Sequence, residues 1–289
     1  MNKEGVNLEE ENNTAGLLGV QLTNTSGGSI MMTQEALIDR IIEAMGLDVD
    51  HSTPKSTSCM KAPLNKYLYG DPCSESFEYA SIVGMLLYLS GHSCPDINFS
   101  VIQVARFTLC PKCSHEAGLK SIGLYLLGTY NKGFIITPTR YLNIDAYPYA
   151  DFAGIYNWEY HNDPFCVKIR TGFVINVSGC PMLCKPKIQS KTTTSTMQSE
   201  LIALADCCRE IIPVIAIVDE VGAAIGLTQS KNSKMHVCIH EDNKGTLVLD
   251  QTLPPQFTPA SKHYAVKTHW FRERCIDLGI VTKKILTTE

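Results

Sequence analysis

The sequence predicts an α+β protein with a mixed sheet and flanking helices, preceded by a small, mainly helical region. From residue 132 onward, strand-like segments are separated by turn residues and are followed by apolar patterns of helical period. Three antiparallel strands, a helix, a parallel strand and further helices form such a sheet. Residues 76–130, in contrast, show helical periodicity almost throughout. At 289 residues, the chain is long enough for one large or two ordinary domains.

Changes in composition divide the chain into four parts. Residues 1–15 form an acidic lead that we expect to be disordered. Residues 16–60 contain two strand-like segments around a Gly-Gly turn and then an amphipathic helix. Residues 48–75 form a loop rich in Ser, Thr, Pro and Lys, and residues 61–131 begin within this loop and continue as three helices. Residues 132–289 form the predicted mixed sheet with its helices.

The composition is that of a globular chain without a strong nucleic-acid signature. Apolar residues make up 44% and charged residues 19% of the sequence. Lys and Arg number 25 against 29 Asp and Glu, and this net charge of −4 argues mildly against a nucleic-acid binder, although a local basic surface remains possible. The N-terminus is acidic, and no apolar run approaches the roughly 20 residues of a membrane span. We therefore expect an intracellular protein, cytoplasmic or nuclear, with no membrane partner.

A helix and a strand in the second half each carry an acidic residue. Ser195 followed by Gln198 has the capping-box pattern of a helix start, and Glu200 falls at the edge of the apolar stripe that follows. From Met235, apolar and polar residues alternate as in a half-buried strand, which closes at Asp242. Carboxylates in these two places fit a divalent-metal site. A strand-end Asp also caps a following helix, however, and a Glu on a helix flank is commonly solvated.

The twelve cysteines are scattered, and no secretory context favours disulfides. The spacing of Cys110, Cys113 and His115 is the single zinc-like pattern in the sequence. No second pair lies at finger distance, so a tetrahedral site would require ligands from far away. The sequence therefore favours a short turn between two helices over a zinc site at these residues.

Several ordered motifs resemble the C-terminal part of copia-type retrotransposon polyproteins. Residues 17–21 (LLGVQ) resemble the end of the reverse transcriptase, and residues 79–89 (YASIVGMLLYL) and 94–97 (CPDI) resemble the connection region. The motifs that resemble the ribonuclease H region are 150–154 (ADFAG), 170–174 (RTGFV), 195–204 (STMQSELIAL), 240–245 (HEDNKG), 261–263 (SKH) and 269–273 (HWFRE). This resemblance covers nearly the whole chain from about residue 16, and it implies a ribonuclease H-like fold for residues 132–289.

The resemblance implies hydrolysis of the RNA strand of RNA/DNA hybrids with Mg²⁺ or Mn²⁺ ions held by carboxylates. Glu200 matches the helix carboxylate of the family, and Asp242 matches the strand-end carboxylate. The family's first ligand position, on the first strand, is Tyr149 here, a phenol that is neutral near pH 7. Asp151 lies roughly 7 Å further along the same strand face, which makes it a weak substitute.

Two of the four carboxylates expected from the family are therefore present. The last acidic ligand of the family belongs to a helix after the final strand, where this sequence ends, and the polymerase motif would precede residue 16. We therefore expect a degenerate, inactive fragment. The alternatives are a residual Mg²⁺-dependent hybrid ribonuclease and a non-catalytic remnant that binds hybrid weakly, with the rest of the polyprotein as a partner if it is supplied elsewhere.

Basic residues in the second half could form a face that binds an RNA/DNA hybrid. Ordinary solvated lysines and packed or capping histidines are the simpler roles for each of them. The residues of this predicted face are Lys185, Lys187, Lys262, His263, Lys267, His269 and Arg272.

Overall fold

The computed structural model describes residues 19–285 apart from 26, 140, 153–166, 190–191, 227–234 and 252–261. Within helices, the side chains of 248–251 and 262–267 are not described. The chain divides into two compact units, one formed by Met1–Met60 and Asp71–Thr137, and the other by Lys61–Gly70 and Pro138–Glu289. The disordered lead predicted for residues 1–15 lies outside the described residues.

In its described residues, the first unit combines four α-helices with a small antiparallel sheet. Its sheet has the strand order β1-β2-β3, and Gly27 and Gly28 in the β1–β2 turn have φ values of 95° and 83°, which glycine adopts without strain. The elements are β1 (Gln21–Asn24), β2 (Ile30–Thr33), α1 (Glu35–Ala44), α2 (Tyr79–His92), α3 (Asn98–Ala105), α4 (Cys113–Thr129) and β3 (Phe134–Ile136).

The zinc-like spacing at the start of α4 has a structural explanation. His115 is fully buried, its Nδ1 accepts a hydrogen bond from the backbone N–H of Lys112 at 2.9 Å, and its ring stacks on Phe107 at 4.0 Å. The thiol of Cys113 donates to a backbone carbonyl oxygen at 3.0 Å. Among the described residues, the groups able to hold a metal ion do not include Cys110, Cys113 or His115. The histidine caps the helix and packs in the core.

The second unit is built on a six-stranded mixed sheet. Its strands have the order β6-β5-β4-β8-β9, and β7 pairs with β5. β4, β5 and β6 are antiparallel, whereas β8 runs parallel to β4 and to β9, so the predicted α+β fold with a mixed sheet is confirmed. The elements are β4 (Asn143–Asp151), β5 (Arg170–Val177), β6 (Cys180–Cys184), β7 (Lys187–Ile188), α5 (Thr196–Ala224), β8 (His236–Glu241), α6 (Lys244–Gln251), α7 (Lys262–Leu278) and β9 (Ile280–Lys284).

The long helix α5 begins where the sequence predicts. Ser195 is its N-cap, and the hydroxyl oxygen of Ser195 accepts a hydrogen bond from the backbone N–H of Gln198 at 3.3 Å. The apolar stripe is buried, and three of its residues, Leu204, Cys208 and Ile211, pack against the sheet together with residues of α7. Among the described residues, no helix combines the length and the apolar character needed to cross a membrane.

Strand alternation decides which side chains of β4 and β8 enter the core. Ile144 and Ala146 of β4, and Val237 and Ile239 of β8, are buried in one cluster with α5. Because successive side chains of a strand point to opposite faces, Glu241 points to the same side as Ile239. The end of β8 therefore carries a carboxylate towards the helix.

Ile239→Ala is expected to lower the free energy of unfolding by about 2–5 kcal/mol, because it removes a fully buried side chain from this core. Urea unfolding of the purified chain measures the loss. Ile217→Ala on α5, where the side chain is 59% exposed, is the matched control and should change stability by less than about 0.5 kcal/mol. Equal losses in the two variants would contradict the packing of β8 against α5.

Candidate metal centre

Three carboxylates meet where α5 passes the end of β8. Oxygen atoms of Glu200, Glu241 and Asp242 lie within 4.8 Å of one another. Glu200 is only 4% exposed, Glu241 is fully buried and Asp242 is partly buried. The structure thus brings together the two acidic residues that the sequence singled out, and it adds a third.

Backbone hydrogen bonds fix two of these carboxylates. The backbone N–H of Ala150, near the end of β4, donates to the carboxylate of Glu200. The backbone N–H of Asn243 donates to Oε1 of Glu241 at 3.0 Å. The acidic residues are therefore positioned by the ends of two neighbouring strands and by one helix.

The start of α6 holds α5 close to the end of β8. The side-chain oxygen of Asn243 accepts a hydrogen bond from the backbone N–H of Thr246 at 3.1 Å, which caps α6. The hydroxyl of Thr246 donates to the carbonyl oxygen of Met197 on α5 at 3.3 Å. Gly245 lies so near α5 that a Cβ atom there would come within 3.2 Å of the Met197 side chain. This close approach keeps Glu200 next to the strand-end carboxylates.

Burial and mutual repulsion raise the pKa values of the two glutamates. Burial, and then the charge of Asp242, raises the pKa of Glu200 to about 7. Burial raises the pKa of Glu241 to about 8, with the charges of Glu200 and Asp242 adding to the effect and the hydrogen bond from Asn243 opposing it. Both groups therefore gain a proton much more readily than a solvated glutamate does.

The cluster has unsatisfied oxygen atoms as well as excess negative charge. Oε2 of Glu200 and Oε2 of Glu241 are buried and have no hydrogen-bond partner. Such atoms are costly in a folded protein unless a proton or a cation satisfies them. Divalent cations that prefer oxygen ligands bind carboxylates in this arrangement. The donor set therefore fits a divalent cation.

Tyr149 lies beside this cluster at the end of β4. Its side chain is 57% exposed. Burial of the remainder raises the pKa of its phenol, and the charges of Asp151, Glu200 and Asp242 raise it further. The hydroxyl is therefore neutral near pH 7, and it contributes no carboxylate at the position where the sequence resemblance places one.

Asp151 is held away from the cluster by an ion pair. It lies directly opposite Arg170 in the antiparallel register of β4 and β5, and its Oδ2 is 2.9 Å from an Arg170 guanidinium nitrogen. Asp151 does not belong to the group formed by Glu200, Glu241 and Asp242. Its carboxylate is already neutralised by a partner from the neighbouring strand.

Two of the predicted hybrid-binding lysines form ion pairs with acidic residues of α5. Lys185 contacts Glu210 at 2.5 Å, and Lys187 contacts Asp206 at 2.7 Å. His269 is exposed and Arg272 is partly exposed on α7. The remaining predicted residues, Lys262, His263 and Lys267, also lie on α7, but their side chains are outside the described part of the structure.

Relatives of the chain were found among curated sequences, whereas no model of a protein family matches it. The chain is 25% identical over 257 residues to the retrovirus-related Pol polyprotein from transposon RE1 of Arabidopsis thaliana. It is 26% identical over 280 residues to the corresponding polyprotein from transposon TNT 1-94 of Nicotiana tabacum. The matches cover 89% and 94% of this chain but only 16% and 19% of the polyproteins, so the chain spans less than a fifth of these relatives.

Solved structures with partial similarity are ribonuclease H domains. LC11-RNase H1 in complex with an RNA/DNA hybrid matches with a TM-score of 0.31 and 13% identity, over 50% of this chain and 87% of that chain. The N-terminal RNase H domain of rv2228c from Mycobacterium tuberculosis matches with a TM-score of 0.32 and 9% identity, over 51% of this chain and 85% of that chain.

Proposed function

The chain is a relative of the retrovirus-related Pol polyproteins of plant transposons, and from this relationship we propose that it is the ribonuclease H-like segment of such a polyprotein. In this proposal, residues 16–60 derive from the end of the reverse transcriptase and residues 61–131 from the connection region. The ancestral activity is hydrolysis of the RNA strand of an RNA/DNA hybrid. The present chain retains the fold and part of the cation site, and it has lost the hydrolysis.

The replacement at Tyr149 carries this proposal. Glu200, Glu241 and Asp242 would hold one Mg²⁺ or Mn²⁺ ion through carboxylate oxygens. Ions of this class, held in pairs, activate a water molecule and stabilise the leaving oxygen in phosphodiester hydrolysis. The charges of Glu200 and Asp242 act on the phenol of Tyr149, so this side chain lies near the cluster. Because the phenol is neutral, it cannot bridge two metal ions as a carboxylate does. The remaining side chains bind and orient one cation at most.

Cleavage of a labelled RNA/DNA hybrid tests the loss of activity. We expect the wild-type chain to leave the RNA strand intact in Mg²⁺ or Mn²⁺, with the same background as Glu200→Gln. If the wild type cleaves the RNA strand and Glu200→Gln abolishes this cleavage, the proposal is overturned. The chain would then be a residual Mg²⁺-dependent hybrid ribonuclease.

Binding of intact hybrid tests what the fold still does. Because Lys185 and Lys187 are paired with acidic residues of α5, we expect weak binding that decreases further as the salt concentration rises. Fluorescence anisotropy of a labelled hybrid at two salt concentrations measures it. Tight binding that is insensitive to salt would contradict a weak electrostatic contact.

Asp151→Asn is expected to change Mn²⁺ affinity by less than about twofold, because Arg170 already neutralises this carboxylate. Glu200→Gln, in contrast, should weaken Mn²⁺ binding by about tenfold or more, since it removes a carboxylate ligand. Calorimetric titration with Mn²⁺ compares the two variants. A larger loss for Asp151→Asn than for Glu200→Gln would show that Asp151 substitutes for the missing ligand.

A further inference from the structure

A second group of potential metal ligands lies within the sheet, apart from the acidic cluster. A ligand atom from each of Asp145, Cys238 and His240 lies within 4.8 Å of the others. Asp145 pairs directly with Cys238 in the parallel register of β4 and β8. His240 follows two residues later on β8, so its side chain points to the same face of the sheet as Cys238. The strand pairing therefore brings these three residue types together.

This group is separate from the acidic cluster. Cys238 and His240 point away from the core side, to which Val237, Ile239 and Glu241 belong. Asp145 lies four residues before Tyr149 on β4, which corresponds to roughly 13 Å along a strand. The two groups share no residue: the acidic cluster joins α5 to the end of β8, whereas the second group joins β4 to β8.

Neighbouring side chains hold two of the potential ligands in place. Nε2 of His240 lies 2.8 Å from Oδ1 of Asp145, and the side-chain amide of Asn143 donates to Oδ2 of the same carboxylate. The ring of Tyr147 stacks on the imidazole of His240 at 4.7 Å and an angle of 9°. The contacts of Asn143 and Tyr147 are of the kind that orient ligands around a metal ion and increase its affinity.

We propose that Asp145, Cys238 and His240 form a site for a transition-metal ion of the Zn²⁺ class, with water as a fourth ligand. One thiol, one imidazole and one carboxylate are the donors that Zn²⁺ accepts in tetrahedral geometry. Mg²⁺ and Ca²⁺ prefer oxygen donors alone, so they are poor candidates here. Asp145 and His240 are partly exposed, which gives the ion a route from solvent.

Cys238 distinguishes a metal site from a simple Asp–His hydrogen bond. The pair formed by Asp145 and His240 satisfies itself without a third member, whereas a metal ion would also bind the thiolate. Burial raises the pKa of Cys238, and nearby Lys283 opposes this effect. The free thiol is therefore protonated near neutral pH, and metal binding releases its proton to solvent.

Anaerobic titration of the reduced chain with Co²⁺ tests the site. We expect an intense near-ultraviolet charge-transfer band from thiolate to cobalt, which Zn²⁺ then abolishes by displacing Co²⁺. Cys238→Ser should remove the band and weaken Zn²⁺ binding by about tenfold or more, as measured by competition with a chromophoric chelator. Cys180→Ser, which alters a buried cysteine outside the group, should retain both properties.

A second variant covers the case in which Cys238→Ser does not fold. Asp145→Asn keeps a hydrogen-bond acceptor for His240 but removes the anionic ligand, and it should weaken Zn²⁺ binding by about tenfold. Glu200→Gln should leave the cobalt band unchanged, because it alters the acidic cluster alone. Absence of the band in the wild type, or a band that survives Cys238→Ser, would overturn the proposed site.

Discussion

Tyr149→Asp is expected to strengthen Mn²⁺ binding by about tenfold or more. The phenol already lies within the electrostatic field of Glu200 and Asp242, so an aspartate in its place adds a carboxylate beside the existing ones. The same substitution adds negative charge to a cluster that is already strained by repulsion. In the absence of metal, the variant should therefore be less stable than the wild type.

Calorimetric titration with Mn²⁺ measures the gain. Tyr149→Phe is the matched control, because it removes the hydroxyl without adding charge and should leave Mn²⁺ affinity within about twofold of the wild type. If the aspartate variant binds Mn²⁺ no better than the phenylalanine variant, the side chain at position 149 does not reach the cation, and the proposed explanation for a loss of activity is wrong.

The free energy of unfolding is expected to fall as the pH rises from about 5 to about 8. Glu200 and Glu241 have folded-state pKa values of about 7 and about 8, above the ordinary value of 4.5. A raised pKa means that the folded state favours the protonated form, so the stabilisation is complete below about pH 4.5 and is lost as the pH passes 7 and 8. The shift of Glu200 alone corresponds to about 3 kcal/mol.

Urea unfolding at pH 5.5 and pH 8, in the presence of a chelator, measures this effect. Asp48 and Glu116 have lowered pKa values, so their contributions are already complete above about pH 5 and do not mask it. The groups that face the two glutamates are Asp242, Tyr149 and Cys207. Glu241→Gln should flatten the pH dependence, and saturating Mn²⁺ should restore stability at pH 8. Parallel curves for the wild type and Glu241→Gln would contradict the buried, repelling pair.

Local signals in the sequence were sufficient to predict the main elements of the site. The capping pattern at Ser195 and the alternation from Met235 depend on neighbouring residues alone, so the start of α5 and the course of β8 followed from them. The same patterns placed Glu200 on the helix and Asp242 after the strand. Both residues lie where these patterns put them, and their oxygen atoms come within 4.8 Å of each other.

Glu241 was missed as a member of the acidic cluster. Glu241 stands at the strand end in the sequence, two residues after the buried Ile239, so its side chain belongs to the core face. A glutamate at a core-facing position was the available signal. Whether this glutamate joins Glu200 in one cluster depends on how closely α5 packs against the end of β8. That packing is set by tertiary contacts of Thr246 and Gly245 with α5.

Other features depend on pairing that a single sequence does not reveal. Asp145 and Cys238 are 93 residues apart, and only the parallel register of β4 and β8 makes them neighbours. Residues 180–188 form two strands in the structure rather than one, since β6 ends at Cys184 and β7 begins at Lys187. Pro186 lies in the gap, and its missing N–H prevents a continuous ladder of hydrogen bonds.

Equilibrium titration with Mn²⁺ at pH 8 tests most directly whether Glu200, Glu241 and Asp242 act as one cation site. We expect the wild-type chain and Cys238→Ser to bind one Mn²⁺ ion with the same affinity, and Glu241→Gln to bind it about tenfold more weakly or not at all. No saturable binding to the wild type, or equal affinity in the wild type and Glu241→Gln, would contradict the site.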